Sequence, residues 1–293
     1  MLARAPLSSA EADNTAFLDS SIPKYLGHAP MSLCLRELNR LLAIRSLEAE
    51  HGALRGRILD VGCGDGFWWN CLDREGREVY GVDISESEIE QARRNVDHVE
   101  TVDVSRQVPF GGTRFDTIIG NCSLEHIPDI DGALHNLREA AAPGALLVMF
   151  VPTPTWAIQG HTQGFLMRHL PRLGMAFAGA LNGFFQHWHI YDYRVWSSIL
   201  GAKGWNVERV YGLGGRNSDV LFRLFLPTSF LSFLVKSIVG VYPNRLMRYL
   251  PRPMLAPFIA LIKNALAKPL VAPGDPGTYE YMILARAGGP HDH

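Results

Sequence analysis

The chain has 293 residues, of which 47% are hydrophobic and 19% charged, and this composition excludes a largely disordered protein. Its length suits one large domain, or one domain with an inserted subdomain. The net charge of −1 is unevenly distributed, since residues 1–139 carry −9, residues 140–274 carry +10 and the last 19 residues carry −2. This asymmetry predicts an anionic partner for the second half of the chain.

The cysteines and the N-terminus predict a cytoplasmic location. Cys34, Cys63, Cys71 and Cys122 have no paired short spacing, so neither a zinc site nor a disulfide framework is expected. Free thiols are typical of a reducing compartment. The N-terminus lacks the apolar core behind a basic start that a signal peptide has, so we expect no export.

The first 52 residues predict a helical N-terminal arm followed by a further helix. Residues 1–30 are polar and contain three prolines, which is typical of an arm. Leucines then recur at helical spacing from Met31 to about Glu50, and Gly52 ends this helix.

Residues 53–152 predict a cofactor-binding core in which strands and helices alternate. The predicted strands are Arg57–Gly62, Val79–Asp83, His98–Val102, Phe115–Gly120 and Ala145–Val151. The predicted helices are Phe67–Arg74, one that begins at the capping box Ser85-x-x-Glu88, and Asp131–Ala142. This alternation indicates an α/β fold with a doubly wound, mostly parallel, Rossmann-like sheet covered by helices on both faces.

The core continues over 193–214 and ends with a strand in 275–293. Asp192 can cap the helix Tyr193–Lys203, and Asn206–Tyr211 and Tyr279–Arg286 are predicted strands, which brings the sheet to seven strands. A strand reached after a long insertion can take an antiparallel position in a mixed sheet. The two insertions, 153–192 and 215–274, are predicted to be helical.

The stretch Ile58–Gly66 is an apolar strand that runs into a turn with glycine at every second position. Asp83 follows 19 residues after Gly64, at the end of the second strand. Glycines let the backbone approach a ligand without Cβ clashes. A carboxylate at that distance can accept hydrogen bonds from both hydroxyls of a ribose. The turn therefore predicts a nucleoside-binding site.

The residues of this turn discriminate between nucleoside cofactors. A nicotinamide site typically has Gly-x-Gly-x-x-Gly, and here Phe67 replaces the third glycine. A Walker lysine is missing, so triphosphate binding is not expected. Asp60, Asp65 and Asp83 would repel a pyrophosphate, but they suit a ligand with a sulfonium and an ammonium group.

The sequence resembles the class I S-adenosylmethionine-dependent methyltransferases. The resemblance is carried by Asp60–Gly66, by Asp83 and by the later Asn121-Cys-Ser-Leu-Glu-His-Ile-Pro128. The branch it is most similar to contains the type-11 and ubiquinone-biosynthesis-like enzymes that methylate small molecules. The resemblance covers about residues 57–152 well and extends loosely to 211.

The resemblance implies a role for each matching residue. Gly62, Cys63 and Gly64 would pass beneath the methionine part of S-adenosylmethionine, with Gly66 completing the turn. Asp60 and the backbone carbonyl of Asn121 would face the ammonium group, and Asp83, followed by Ile84, would hold the ribose. Asp103 and Val104, after the third strand, would meet the adenine.

Histidines are the candidate bases for methyl transfer to a hydroxyl acceptor. His126 follows the fourth strand, at the edge where open α/β sheets bind ligands. His187 and His189 lie in Gln-His-Trp-His-Ile-Tyr, and two histidines without a third ligand do not predict a metal site. Trp188 and Tyr191 either line the acceptor pocket or pack. Tyr25 lies in the arm segment 15–30, which we expect to cover this pocket together with the two insertions.

The second insertion is basic and apolar. From Val220 to Gly274 there are seven Lys or Arg residues and no Asp or Glu, and Thr155–Tyr191 is also free of acids. The charge-free runs are Leu224–Val235 and Pro253–Ile262. They are shorter than a membrane span and contain prolines, so we do not expect them to cross a bilayer. Because bases lie beside large apolar side chains without acids, we expect this insertion to lie on an anionic membrane or a lipid-linked substrate. A helical cap or a dimer contact is the alternative, and nucleic acid is disfavoured because the bases lie among aliphatic residues.

The sequence therefore predicts a cytoplasmic S-adenosylmethionine-dependent methyltransferase, peripheral on the inner face of the membrane, that methylates oxygen or carbon of a small-molecule or lipid-linked acceptor. One alternative is an NAD-dependent oxidoreductase, against which Phe67 argues. The other is a non-catalytic membrane module with a vestigial cofactor fold, against which the complete set of turn residues argues.

Overall fold

The computed structural model describes residues 9–52, 54–158 and 161–288. Its strands are β1 (Gly56–Val61), β2 (Arg77–Asp83), β3 (His98–Thr101), β4 (Phe115–Asn121), β5 (Ala141–Pro152), β6 (Trp205–Gly214), β7 (Leu270–Val271) and β8 (Thr278–Ala287). Its α-helices are α1 (Ser9–Leu26), α2 (Met31–His51), α3 (Glu86–Ala92), α4 (Ile130–Ala140), α5 (His161–His169), α6 (Pro171–Phe184), α7 (Tyr193–Ala202), α8 (Arg216–Val239) and α9 (Arg252–Ala265). Short 3-10 helices lie at Phe67–Cys71, Leu124–His126 and Pro243–Tyr249.

The strands form one mixed sheet in the order β3-β2-β1-β4-β5-β8-β6-β7. The five strands from β3 to β5 are parallel, and β8 is antiparallel to both β5 and β6. This confirms the predicted α/β class and the antiparallel last strand. The sheet has eight strands rather than the predicted seven, because the two residues of β7 add to the edge formed by β6.

Two hydrophobic layers cover the sheet because side chains alternate between its faces. Ile58 contributes to the layer formed with α1, α2, α8 and α9, and its neighbour Leu59 contributes to the layer formed with α4 and α7. Val148 and Leu147 of β5 divide in the same way. The long apolar run of β5 is therefore explained by burial on both faces.

The helical N-terminal arm is confirmed by α1 in the described part of residues 1–30, but its apolar side chains belong to the core, which the sequence did not predict. Ile22 and Leu26 are completely buried against α2 and the sheet. Burial of one large aliphatic side chain contributes about 1.5–3 kcal/mol. The spacing of these few apolar residues is concealed in the sequence by the polar residues between them, and residues 1–8 lie outside the described part.

The predicted helix ends need two further corrections. The helix predicted over Phe67–Arg74 is only a 3-10 helix over Phe67–Cys71. The helix predicted to reach Ala142 ends at Ala140, where β5 begins, because Ala141 already pairs with Phe115 of β4. The predicted caps are confirmed, since Ser85 accepts from the Glu88 N–H and Asp192 from the Arg194 N–H.

The two insertions are helical, as predicted, and the longest helix in them extends beyond the charge-free runs of the sequence. Helix α8 has 24 residues and continues through Pro227. By length and composition alone, α8 is a helix that could cross a membrane, and 11% of its apolar window is buried. The charge-free run Leu224–Val235 is shorter than this helix because Arg223 and Lys236 bound the run but do not end the helix.

A buried ionic network joins α2 to β8 beneath the carboxyl edge of the sheet. Glu280 is fully buried and accepts hydrogen bonds from Arg36 and from Arg40, whose Nη2 lies 2.7 Å away. Burial disfavours the charged form of Glu280, but Arg36 and Arg40 outweigh this effect and lower its pKa to about 2. The network fixes α2 against the strand ends.

Candidate functional site

The glycine turn after β1 has the backbone conformation that only glycine adopts without strain. Gly62, Gly64 and Gly66 have φ values of 70°, 54° and 68°. A Cβ on Gly62 would lie 2.5 Å from the Cβ of Ser123, so the turn packs directly on the segment after β4. Above Gly64 the space is open within 4 Å, which leaves room for a ligand against the backbone.

Asp83, at the end of β2, is oriented by the turn itself. Its Oδ2 accepts a hydrogen bond of 3.0 Å from the Gly64 N–H, and its Oδ1 accepts one of 2.9 Å from the Ser85 N–H. The carboxylate is half-buried and retains lone pairs for a ligand. This geometry is suited to two hydroxyl groups on neighbouring carbons.

Asp60, within β1, carries a buried oxygen that has no hydrogen-bond partner among the described residues. Its Oδ2 accepts from Trp69 Nε1 at 2.7 Å, and its Oδ1 is the unpaired atom. Burial raises the pKa of Asp60 to about 7. An unpaired buried acceptor is costly, so it indicates a ligand that donates a hydrogen bond or carries a positive charge.

Asn121, at the end of β4, is held by α2. Its side-chain oxygen accepts from Arg40 Nη1 at 3.0 Å, and its amide donates to Glu37 at 3.1 Å. The next residue, Cys122, has a φ of 51°, which turns the chain sharply at the strand end. The side chain of Asn121 is thus engaged with protein.

The residues predicted to meet adenine follow β3, and Ile84, predicted beside the ribose, follows β2. Asp103 accepts from the N–H and hydroxyl of Ser105 at 3.0 and 2.6 Å, and Val104 is buried. Ile84 is 73% exposed, an unusual position for isoleucine that leaves its side chain available to a flat ligand.

A cleft of about 690 Å³ lies over the glycine turn. Of the predicted cofactor residues, those that line it are Gly62, Cys63, Gly64 and Asn121. The segment Pro23–Ala29 covers it, as the sequence predicted for the arm, and so does the segment Lys236–Arg248. This second segment belongs to the insertion 215–274, which was also expected to cover the pocket, and its exact position depends on how α8 packs.

Two aromatic contacts hold the first segment over the turn. The His28 ring stacks on Phe67 with centroids 3.7 Å apart, and its Nε2 lies 3.0 Å from Asp65. Tyr25 meets Phe67 edge-on at 5.2 Å. Tyr25 is buried and its hydroxyl has no hydrogen-bond partner in the described part of the chain.

His126 and His187 come together with a residue that the sequence analysis missed. Their rings stack with centroids 5.0 Å apart, and His126 Nε2 lies 3.7 Å from Glu125 Oε1. Glu125 is fully buried without a hydrogen-bond partner for its carboxyl group in the described residues, and burial raises its pKa to about 7. The three ligand atoms lie within 4.8 Å of one another, close enough to share one metal ion.

Both histidines are held in the neutral form. Burial lowers the pKa of His126. Burial, and to a smaller extent the neighbouring His126, lowers the pKa of His187 to about 3. A neutral imidazole can accept a proton. The place of Glu125 beside His126 at a strand end could have indicated a functional residue. Its complete burial could not be predicted from the sequence.

The other predicted aromatic and histidine residues lie apart from this cluster. His189 is bonded through Nε2 to the Ile127 carbonyl at 2.9 Å and through Nδ1 to the Tyr191 hydroxyl at 3.1 Å. Trp188 is 64% exposed, and its backbone N–H donates to the Glu125 carbonyl. These contacts fasten the first insertion to the segment after β4.

Comparisons with known proteins agree with this geometry. The model of a methyltransferase domain family matches residues 25–210. The chain is 35% identical over 104 residues to a ubiquinone biosynthesis O-methyltransferase of Alkalilimnicola ehrlichii, covering 33% of this chain and 42% of that protein. It is 34% identical over 131 residues to the enzyme of the same name from Mesorhizobium japonicum, covering 42% and 46%. The matches thus span less than half the length of these curated relatives.

A solved structure from Galdieria sulphuraria, assigned as a sarcosine dimethylglycine methyltransferase, shares the fold. The TM-score is 0.51 at 16% identity, and the match covers 85% of each chain.

Proposed function

The chain belongs to the methyltransferase domain family, and we propose that it transfers the methyl group of S-adenosylmethionine to oxygen or carbon of a small-molecule or lipid-linked acceptor. The observation that carries this proposal is the Asp83 carboxylate, which two backbone N–H groups orient beside an open glycine turn. Asp60 supports it, because its unpaired oxygen suits an ammonium group.

Membership of this family does not favour the first alternative function. An NAD-dependent oxidoreductase would need space where Phe67 lies, and this ring is instead stacked on His28. A non-catalytic module is not favoured either, since an unpaired acceptor at Asp60 costs stability unless a ligand uses it.

S-Adenosylmethionine supplies a methyl group already activated by the sulfonium, so the task of the protein is alignment of the acceptor and removal of its proton. His126 and His187 are the proposed bases. His126 follows the strand that ends at Asn121, which lines the cleft, and His187 of the first insertion stacks on His126. Both are neutral. Tyr25 is the proposed acceptor contact inside the cleft, because its hydroxyl is unpaired. Trp188 and Tyr191 remain proposed contacts on the first insertion.

Calorimetric titration tests the donor. We expect S-adenosylmethionine and S-adenosylhomocysteine to bind the purified protein and NAD not to bind. Absence of binding by the first two, or tight NAD binding, would overturn the proposal.

We also propose that the protein is cytoplasmic and docks on an anionic membrane through what we name the apolar-basic surface. This surface consists of the exposed side chains Leu224, Phe230, Leu231, Leu234, Ile238, Val239, Val241, Arg245, Leu246, Arg248, Tyr249, Leu250, Met254, Phe258 and Leu261. Large contiguous apolar exposure with basic residues and no acids is typical of interfacial binding. Phe184 of α6 contacts Phe230 with ring centroids 4.9 Å apart, so the first insertion extends the surface.

Sedimentation with vesicles tests this docking. We expect binding to vesicles that contain phosphatidylglycerol, and weaker binding at high salt because ions screen the basic residues. Equal binding to neutral phosphatidylcholine vesicles would remove the electrostatic part of the proposal. A dimer contact through this surface would instead appear as a dimer in sedimentation equilibrium without vesicles.

A further inference from the structure

The geometry points to an anion-binding subsite at the outer wall of the cleft, formed by Lys236, Arg245 and Arg248, that takes the phosphate or carboxylate head of an amphiphilic acceptor. This inference rests on the proposed function, because it assigns the opposite wall to the methyl donor. It goes further in naming the chemistry of the acceptor and the residues that select it.

The polar lining of the cleft is divided by charge. Its inner wall presents Glu37 and Asp65 beside the glycine turn, and Glu88 of α3 lies where the two walls meet, 3.9 Å from Lys236. Acids on this wall suit a donor with a sulfonium and an ammonium group. The bases of the lining, other than Lys24 near its edge, come from the end of α8 and the following 3-10 helix. A cationic donor does not explain bases on that wall.

The bases of the outer wall are poorly neutralised by protein. Arg245 forms no ion pair with the described residues, and Arg248 Nη2 is bonded to the neutral hydroxyl of Tyr249 at 2.8 Å. Lys236 Nζ lies 3.9 Å from Glu88, which is the limit of an ion pair. Guanidinium groups that lack an acidic partner bind phosphate and carboxylate well, because their donors match the geometry of these anions.

Packing fixes the position of this wall. A Cβ on Gly27 would lie 2.9 Å from the Arg248 Cβ, so the backbone of the α1–α2 connection touches the 3-10 helix directly. Lys263 of α9, the helix that follows this segment, donates to Asp19 of α1 at 2.8 Å and so ties α9 to α1. The arginines therefore stand on a braced segment.

The same segment continues the apolar-basic surface. Leu246, Tyr249 and Leu250 alternate with the two arginines along the 3-10 helix, and all three side chains are exposed. A ligand with its anionic head at the arginines can lay its hydrocarbon part on these side chains. An amphiphilic anion can contact both the arginines and the apolar side chains, whereas a small polar anion can contact only the arginines.

Calorimetry with short-chain lipids tests the subsite. The probes are dihexanoylphosphatidylglycerol and dihexanoylphosphatidylcholine, both kept below the concentration at which they form micelles, and inorganic phosphate. We expect phosphatidylglycerol to bind at least about tenfold more tightly than either other probe. The double variant Arg245→Gln, Arg248→Gln should lose this preference. The double variant Arg194→Gln, Arg209→Gln removes the same charge from exposed positions outside the cleft and should keep it.

The remaining outcomes separate this inference from the proposed function. S-Adenosylhomocysteine should bind the Arg245, Arg248 variant within about twofold of the native affinity, and circular dichroism should show the native fold. An equal loss of S-adenosylhomocysteine affinity would assign the arginines to the donor and overturn the subsite. A second result would also overturn the subsite: binding of the protein to phosphatidylglycerol vesicles depends on these arginines, but the short-chain lipid does not bind. The arginines would then serve bilayer docking alone.

Discussion

At the scale of single residues, the site depends on carboxyl groups whose surroundings give them different properties. Asp83 is half-buried and satisfied by backbone donors, whereas Asp60 and Glu125 are buried with unpaired oxygens. Burial raises the pKa of both of the latter to about 7. Such perturbed groups cluster at functional sites because they are costly elsewhere.

Replacement of Asp83 by alanine should weaken S-adenosylhomocysteine binding by at least about 100-fold. The carboxylate would lose two hydrogen bonds to the ribose, and each hydrogen bond to a charged group contributes about 1.5–3 kcal/mol. Calorimetry measures the change. The control Asp73→Ala removes an exposed carboxylate outside the site and should leave the affinity unchanged. Full affinity in the Asp83 variant would contradict the assignment of Asp83.

The His187 imidazole should remain neutral over pH 5–9, because burial and His126 lower its pKa to about 3. Its nuclear magnetic resonance signal, assigned by loss in His187→Asn, should not move in that range. An unfolded chain takes up this proton near pH 6.5, so His187 should progressively destabilise the fold as pH falls from about 6.5 towards 3. A titration near pH 6.5 in the folded protein would show that the ring is solvated.

At the scale of elements, the turn between β1 and the following 3-10 helix is set by glycine conformation and by close packing. Gly62 and Gly144 have nearly equal φ values of 70° and 73°. A Cβ would meet Ser123 at Gly62, but it would meet nothing within 4 Å at Gly144. The pair therefore separates backbone strain from steric clash.

Gly62→Ala should destabilise the protein by more than Gly144→Ala. Both substitutions add roughly 1–2 kcal/mol of left-handed strain, and the clash at Gly62 adds about 1–3 kcal/mol. Urea unfolding measures the two free energies. Equal losses would mean that Ser123 and the segment after β4 move away without cost, and the turn would then not depend on this contact.

At the scale of the whole molecule, segments from the two ends of the chain cover the same cleft. Pro23–Ala29 and Lys236–Arg248 are separated by more than 200 residues, yet both line it. This arrangement also explains the charge asymmetry in part, since the acidic half supplies the turn and the basic half supplies the opposite wall.

Binding of S-adenosylhomocysteine should slow hydrogen exchange in both segments together. A ligand in the cleft stabilises the closed arrangement by linkage, so local opening of either segment becomes rarer. Mass spectrometry of exchanged peptides measures this effect, and α4 on the opposite face serves as the unaffected reference. Protection of the glycine turn alone would show that the two segments do not cover the bound ligand.

The sequence by itself determined the sheet class, the strands of the parallel half, the glycine turn and the carboxylate that follows it. These features are local, because strand periodicity, helix caps and the φ preference of glycine are properties of a few neighbouring residues. The helix α8 extends beyond the charge-free run Leu224–Val235 because a helix continues through the flanking Arg223 and Lys236, which the run excludes by definition.

Only the tertiary structure decided which residues of distant segments meet. It brought Glu125 beside His126 and His187, placed α1 in the core, and set Arg245 and Arg248 on the wall opposite the glycine turn. The physical reason is that burial and long-range contact depend on how the insertions pack on the sheet, and an apolar, acid-free segment can pack in many ways. The methyl donor could therefore be predicted from the chain, whereas the surroundings of the acceptor required the fold.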